Sequence, residues 1–193
     1  MSDFWSMDMV ICSPQLYFGP KFQCFLKNEC IFENNQWIYK IIRNELHGMN
    51  EIIFLDEPEW LLCANRPNSE YSSFLVIFKD CNLKSIRDLR EKHIDLLSNI
   101  NDVVTSWLKD NKLRKYHFFF HYMPSTFQLH MHVAVQSNKV DIRRQPLSVV
   151  IKNLRVDSLY YHKALIVTKL CKTLKRSGTH AKVKHKLLKN HIY

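Results

Sequence analysis

Residues 115–122 and 129–136 both read as strands, and only six residues join them: Met123-Pro124-Ser125-Thr126-Phe127-Gln128. Two extended runs with a link this short pair antiparallel, because a parallel pair needs a crossover of about a dozen residues or more. Successive side chains on a strand point to opposite faces. The second run therefore predicts a core-facing row of Leu129, Met131, Val133 and Val135, and an opposite row of Gln128, His130 and His132. On the first run His117, Phe119 and His121 share a face. Paired, the two runs put three or four histidines on one surface of a sheet.

The rest of the chain supplies more strands and a few helices. Residues 52–55, 60–63 and 74–78 read as strands, and the near-continuous apolar character of the last predicts a central one. Residues 35–43 predict a short helix with Gly48 as a stop. The clearest helix spans about 90–108, with Ile94, Leu97, Ile100, Val104 and Trp107 on one face and Ser85 or Asp88 as its cap. A helix over 147–154 and a strand over 164–167 follow. Residues 1–34 read as irregular, with Pro14, Gly19 and Pro20 as breakers. Strands clustered around a few helices predict an α+β domain on an antiparallel sheet. The predicted organisation is a short extension over 1–34, the domain over 35–168 and a basic tail over 169–193.

Composition narrows the function classes. The chain holds 3 Gly among 193 residues, so glycine-rich phosphate loops and dinucleotide fingerprints are absent. Its 6 Cys form no C-x-x-C pair, and reduced thiols are expected. The first twenty residues lack a basic and apolar leader pattern, and no run approaches the roughly 20 apolar residues of a membrane span. A soluble intracellular protein is the expectation. The net charge is +10, and nine basic side chains with no acid follow Asp157, so the body is nearly neutral. Such a tail suits phosphates, or merely keeps the end of the chain solvated.

Two chemistries use a cluster of imidazoles on a strand. Histidines two apart can both reach one metal ion. Alternatively one imidazole attacks phosphorus and forms a covalent intermediate, while its neighbours set tautomers and protonate the leaving oxygen. The bland alternative is a polar exposed face.

His130-Met131-His132-Val133 resembles the end of the histidine-triad signature, three histidines alternating with apolar residues, with Gln128 in the place of the first. His121-Tyr122-Met123-Pro124-Ser125 resembles the H-Y-L-P-S segment of the scavenger mRNA decapping enzymes. So do Lys84-Ser85-Ile86-Arg87-Asp88-Leu89, Gln36-Trp37-Ile38-Tyr39 and Ile52-Ile53-Phe54, in the family's order, over about residues 36–168. The resemblance implies a histidine-triad-like fold and hydrolysis of the 7-methylguanosine cap left after 3′-to-5′ mRNA decay, without a metal or other cofactor. It implies that His130 attacks the phosphate beside the methylated nucleoside, that His132, His121 and Ser125 contact phosphates, and that Arg143 grips the phosphate chain with its guanidinium fork. Trp37 matches the tryptophan that stacks on the cationic base, and Arg66 stands where the family has a phosphate-reaching lysine. Gln128 keeps hydrogen-bonding capacity at its position. Glu45 and Glu51 are the candidates for the glutamate that reads the guanine edge.

Several positions depart from the family pattern. Leu62-Cys63-Ala64-Asn65-Arg66-Pro67 stands where the family reads L-P-D-L-K-W, so Ala64 and Asn65 replace an aspartate and a base-stacking leucine, and Thr126 replaces an aromatic residue. Only 36 residues precede Trp37, too few for the family's large swapped N-terminal domain. The expected partners are capped RNA fragments or the cap dinucleotide, with no membrane, and by resemblance a homodimer. The expected location is the cytoplasm, with the nucleus as a second compartment. The alternatives are a broader dinucleoside polyphosphate hydrolase and a cap- or RNA-binding protein without turnover.

Overall fold

The computed structural model describes residues 9–28, 36–45, 47, 52–65, 73–137 and 141–169. In chain order the elements are β1 (Met9–Cys12), α1 (Pro14–Tyr17), α2 (Pro20–Asn28), α3 (Gln36–Ile42), β2 (Ile53–Asp56), β3 (Trp60–Ala64), β4 (Ser73–Phe78), α4 (Ile94–Asp110), β5 (Tyr116–His121), β6 (His130–Val135), β7 (Arg144–Pro146), α5 (Leu147–Val156), α6 (Tyr160–Lys163) and β8 (Ile166–Lys169). Six strands form one sheet in the order β2-β3-β4-β6-β5-β7, and β1 pairs with β8 in a second sheet. Every pairing is antiparallel. The α+β class and the antiparallel sheet are as the sequence predicts.

The alternation of β6 divides the sheet into two faces. Met131, Val133 and Val135 join Phe74, Val76, Phe78 and Phe120 in the main core, which α4 and α5 cover. In α4 the buried residues are Ile94, Leu97, Ile100, Val104 and Leu108, and each such side chain contributes about 1.5–3 kcal/mol by leaving water. Trp107 sits at the margin of that stripe, with its ring 5.0 Å from Phe54 and 5.2 Å from Phe74. On the opposite face, α3 lays Ile38, Tyr39 and Ile41 over Leu61, Cys63, Leu75 and Ile77. Thus α3 covers the β3–β4 side of that face, and the histidines of β6 and β5 occupy the other side.

Three local expectations are corrected. The N-terminal segment is not irregular over the described residues: it holds β1, α1 and α2, and Cys12, Tyr17, Phe22 and Leu26 are part of the main core. Pro14 and Pro20 open helices rather than break them, because the first helical position needs no amide hydrogen. Ser13 caps α1 by accepting from the Leu16 amide. Gly19 is required between the two helices, since a Cβ there would lie 2.7 Å from the Gln15 carbonyl oxygen. Second, Ser85 and Asp88 do not cap α4. They close a capping box around the 3-10 turn Ile86–Asp88, and a second turn, Glu91–His93, leads into the helix. Third, α3 ends before the expected stop: Asn44 takes a left-handed conformation at φ 58°, and the Glu45 amide donates to the Lys40 carbonyl. Gly48 lies outside the described residues.

Arg87 ties the N-terminal segment to the sheet. It is wholly buried. Its guanidinium donates to the Tyr122 hydroxyl at 2.6 Å, to the Tyr161 and Ala164 carbonyls at 2.8 and 2.9 Å, and to the Cys12 carbonyl at 2.6 Å. Among the described residues no helix is long and apolar enough to cross a membrane.

Candidate active site

His130 and His132 lie on β6, between β4 and β5. In register, His130 faces Ile77, and His132 faces Leu75 on one side and Phe119 on the other. His121, at the end of β5, faces Arg144 on β7. The expected meeting of histidines therefore occurs with three members. The His121 and His132 rings are 4.2 Å apart, and those of His130 and His132 are 5.3 Å apart. His117 shares the face but pairs with Ala134 and is exposed.

Hydrogen bonding orients the first of these rings. His130 Nδ1 is 2.7 Å from the Gln128 carbonyl oxygen. A carbonyl only accepts, so Nδ1 carries the proton and Nε2 keeps its lone pair. His132 is held by stacking instead: its ring is parallel to Phe119 within 7° at 5.3 Å. Its Nε2 is buried and has no hydrogen-bond partner among the described residues.

The electrostatics keep the cluster neutral. Burial pushes His130 below the ordinary imidazole value, although the bond to Gln128 works against it. Burial, followed by the charges of His130, His121, Arg143 and Arg144, pushes His132 well below it. Burial and the Arg143 charge bring His121 down to about 4, against the opposing Asp141 carboxylate. That carboxylate is 3.8 Å from His121 Nε2 and only 2.6 Å from Arg143 Nη2. Desolvation would raise Asp141, but the hydrogen bonds and charge of Arg143 outweigh it and hold the carboxyl at about 2.

These shifts give a stability prediction. As pH falls, an unfolded imidazole protonates near 6.5, whereas folded His121 does not until about 4. The unfolded chain then binds more protons, so stability falls as pH drops from about 6.5 to about 4, by up to about 1.4 kcal/mol per pH unit for each such histidine. Asp141, held at about 2 in the folded chain, adds to the loss only at the acid end of that window, below about pH 5, where the unfolded carboxyl begins to protonate. Denaturant melts over this range should show the loss, and His121→Gln should reduce it by one histidine's share, leaving that of His130 and His132. A profile as steep in the variant would remove His121 as a source.

The other expected site residues fall into distinct places. Gln128 is a correction. It precedes β6, and its side chain does not join the histidine row. Its amide donates to the Phe78 and Asp80 carbonyls at 2.7 and 2.9 Å, and its Oε1 is buried without a partner among the described residues. What it gives the site is its main-chain carbonyl. Ser125 is exposed on the 122–129 connection. Trp37 is half-buried against the α3 cluster. Glu45 is exposed beyond α3 and ion-paired with Arg43 at 2.7 Å, apart from the histidines. Arg66 and Glu51 lie outside the described residues. Among the described residues no group of three or more His, Cys, Asp and Glu side chains is arranged to hold a metal ion.

Two participants were missed from sequence. Asp141 holds Arg143, and the D-x-R spacing was the available signal. Arg144 lies with its guanidinium carbon 4.2 Å from the Phe119 ring centre, and only the β5–β7 register reveals it.

Comparison with known proteins places this arrangement among relatives. The family described as scavenger mRNA decapping enzyme C-term binding matches residues 36–147. The m7GpppX diphosphatase of Schizosaccharomyces pombe is 30% identical over 118 residues, which are 60% of this chain and 36% of that protein. The chain thus spans about a third of the length of that relative. Among solved structures, a histidine triad protein from Clostridium difficile aligns with a TM-score of 0.45 and 17% identity, over 56% of this chain and 96% of its own. A HIT family hydrolase from Clostridium thermocellum aligns with a TM-score of 0.44 and 16% identity over the same shares.

Proposed function

The chain belongs to the scavenger mRNA decapping enzyme C-terminal family, and from that premise we propose that it hydrolyses the 7-methylguanosine cap of a cap dinucleotide or short capped RNA. The carrying observation is the His130 ring, whose Nδ1–H is bound by the Gln128 carbonyl so that Nε2 is left as a nucleophile beside His132 and His121. Nε2 attacks the phosphorus next to the methylated nucleoside. An N–P bond forms, and the P–O bond to the rest of the phosphate chain breaks. His132 and His121 contact the phosphates, and the leaving oxygen departs with the P–O electron pair as a phosphate anion that takes its proton from water. Water then cleaves the N–P bond, releasing 7-methylguanosine monophosphate and restoring the imidazole. Arg143 brings its charge to the phosphate chain while Asp141, bound on the Nε–Nη2 side of the guanidinium, orients it. Trp37 stacks on the methylated base, and Arg66, Ser125 and Glu45 or Glu51 complete the substrate contacts.

A second reading, a broader dinucleoside polyphosphate hydrolase, is favoured by the base pocket. Ala64 is a buried strand residue without a carboxylate, and the Asn65 amide donates to Ser73 Oγ at 2.7 Å. Both positions depart from the family residues that hold the cap base. The two readings separate in one assay. With EDTA present, the protein is incubated with radiolabelled 7-methylguanosine cap dinucleotide and with its unmethylated analogue. The decapping reading expects the methylated substrate to be cleaved about tenfold or more faster, the scale of one cation–π contact of about 1–2 kcal/mol. Equal rates select the broader hydrolase. Binding without cleavage of either removes the enzyme reading. We further propose a homodimer, checked by light scattering after gel filtration, and a cytoplasmic and nuclear location, checked by fluorescence microscopy of the tagged chain.

A further inference from the structure

Arg144 is unlike its neighbour. Arg143 is held by Asp141 through three contacts of 2.6–3.2 Å. Arg144 has no ion pair among the described residues, and its Nε is buried without a hydrogen-bond partner. A half-buried guanidinium with an orphaned donor invites an anion, because a buried polar donor that has left water is stabilised by an acceptor. Its position is fixed from two sides. It sits on β7 opposite His121, and its guanidinium lies over the Phe119 ring that also stacks on His132.

A cleft opens from this point. β7 pairs with β5 only at residues 119–121, so the β7-side edge of β5 over residues 116–118 is uncovered by any described strand. The gap, of about 420 Å³, lies between that edge, α4 and the first turn of α5. Its lining includes Phe118, Phe119, His117, Asn101, Ser148 and Arg144, and no lining residue is acidic. Aromatic walls with a few polar groups and one cation suit a nucleotide.

We infer that Arg144 binds a phosphate of the substrate chain and that the cleft beside it takes a nucleotide following the one attacked at His130. The inference rests on the proposed nucleotide hydrolysis for its direction. Phe119 and Arg144 are common to the cleft and the histidine face, so a chain leaving the cluster across β5 enters the cleft at Arg144.

The test is equilibrium binding to the full chain carrying His130→Ala, which prevents turnover, with and without Arg144→Ala or Arg144→Lys. The probes are 7-methylguanosine monophosphate, a capped RNA tetranucleotide and an uncapped 5′-phosphorylated tetranucleotide. Thermal melts check the fold. Arg144→Ala should weaken both tetranucleotides about tenfold or more, the scale of a lost charge-assisted hydrogen bond, and weaken the monophosphate far less. Arg144→Lys should restore part of the loss. Tetranucleotide affinities unchanged by Arg144→Ala overturn the inference. So does an equal loss for all three probes, which would put Arg144 in the histidine site itself. Equal affinity for capped and uncapped tetranucleotides, both weakened by Arg144→Ala, supports the cleft and counts against cap recognition instead.

Discussion

His130→Ala is expected to lower turnover of the cap dinucleotide by at least about 10³-fold, the scale on which enzymes lose a covalent nucleophile. One hydrogen bond selects the attacking atom. With Nδ1–H donated to the Gln128 carbonyl, Nε2 is the only ring atom of His130 able to attack phosphorus. His132 and His121 do not replace it: His132 stacks on Phe119, and His121 turns its Nε2 toward the Asp141 carboxylate at 3.8 Å. Removing the ring also strands the Gln128 carbonyl, at a cost of about 1–3 kcal/mol in stability. Folding must therefore be checked by denaturant melts, and cap binding should survive within a few-fold. During turnover the wild-type chain should also carry an acid-labile, histidine-linked phosphoryl nucleoside that His130→Ala lacks. A variant that still turns over, or a wild-type chain that never carries the label, would refute the covalent route.

How much of this was legible before any coordinates follows from the range of the forces involved. β6 and α4 are readable because their periods of two and 3.6 register which side chains leave water, and β4 and β5 because a short, almost unbroken apolar or aromatic run marks a strand, all properties of neighbouring residues. His121, His130 and His132 came together for the same reason: alternation fixes faces, and a short connection fixes the pairing. Gln128 was misplaced because alternation stops where the strand stops, and β6 begins two residues later. The carbonyls that capture its amide belong to Phe78 and Asp80, about fifty residues away. Pro14 and Pro20 are ambiguous in sequence, because proline both interrupts a helix and starts one. β1 was invisible locally, since its partner β8 lies at the other end of the fold. The family resemblance singles out Arg143 alone, and a role for Arg144 emerges only from the contrast with the Asp141-bound Arg143 and from the β7 register.

Arg87→Met is expected to cost about 3–5 kcal/mol in folding free energy, the range for breaking a buried charged network. The guanidinium is wholly buried and donates to the Cys12, Tyr161 and Ala164 carbonyls and to the Tyr122 hydroxyl. The Tyr17 and Tyr122 rings add faces at 5.9 and 5.0 Å. Methionine fills part of the volume but leaves these acceptors dry, and each stranded polar group costs about 1–3 kcal/mol. Arg87→Lys should recover some of the loss, because one ammonium supplies three donors but cannot span the same fork. For a chain of this size the methionine variant should melt about 10 °C lower, at about 2–4 °C per kcal/mol. A fall below about 1 kcal/mol in urea unfolding, at unchanged slope, would mean that the network contributes little net stability. The consequence also reaches the site. Arg87 holds Tyr122, and Tyr122 begins the connection that carries Ser125 and ends at the Gln128 carbonyl behind His130. Under conditions where the methionine variant stays folded, its turnover should therefore fall as well. Full activity in the folded variant would show that the connection keeps its shape without this anchor.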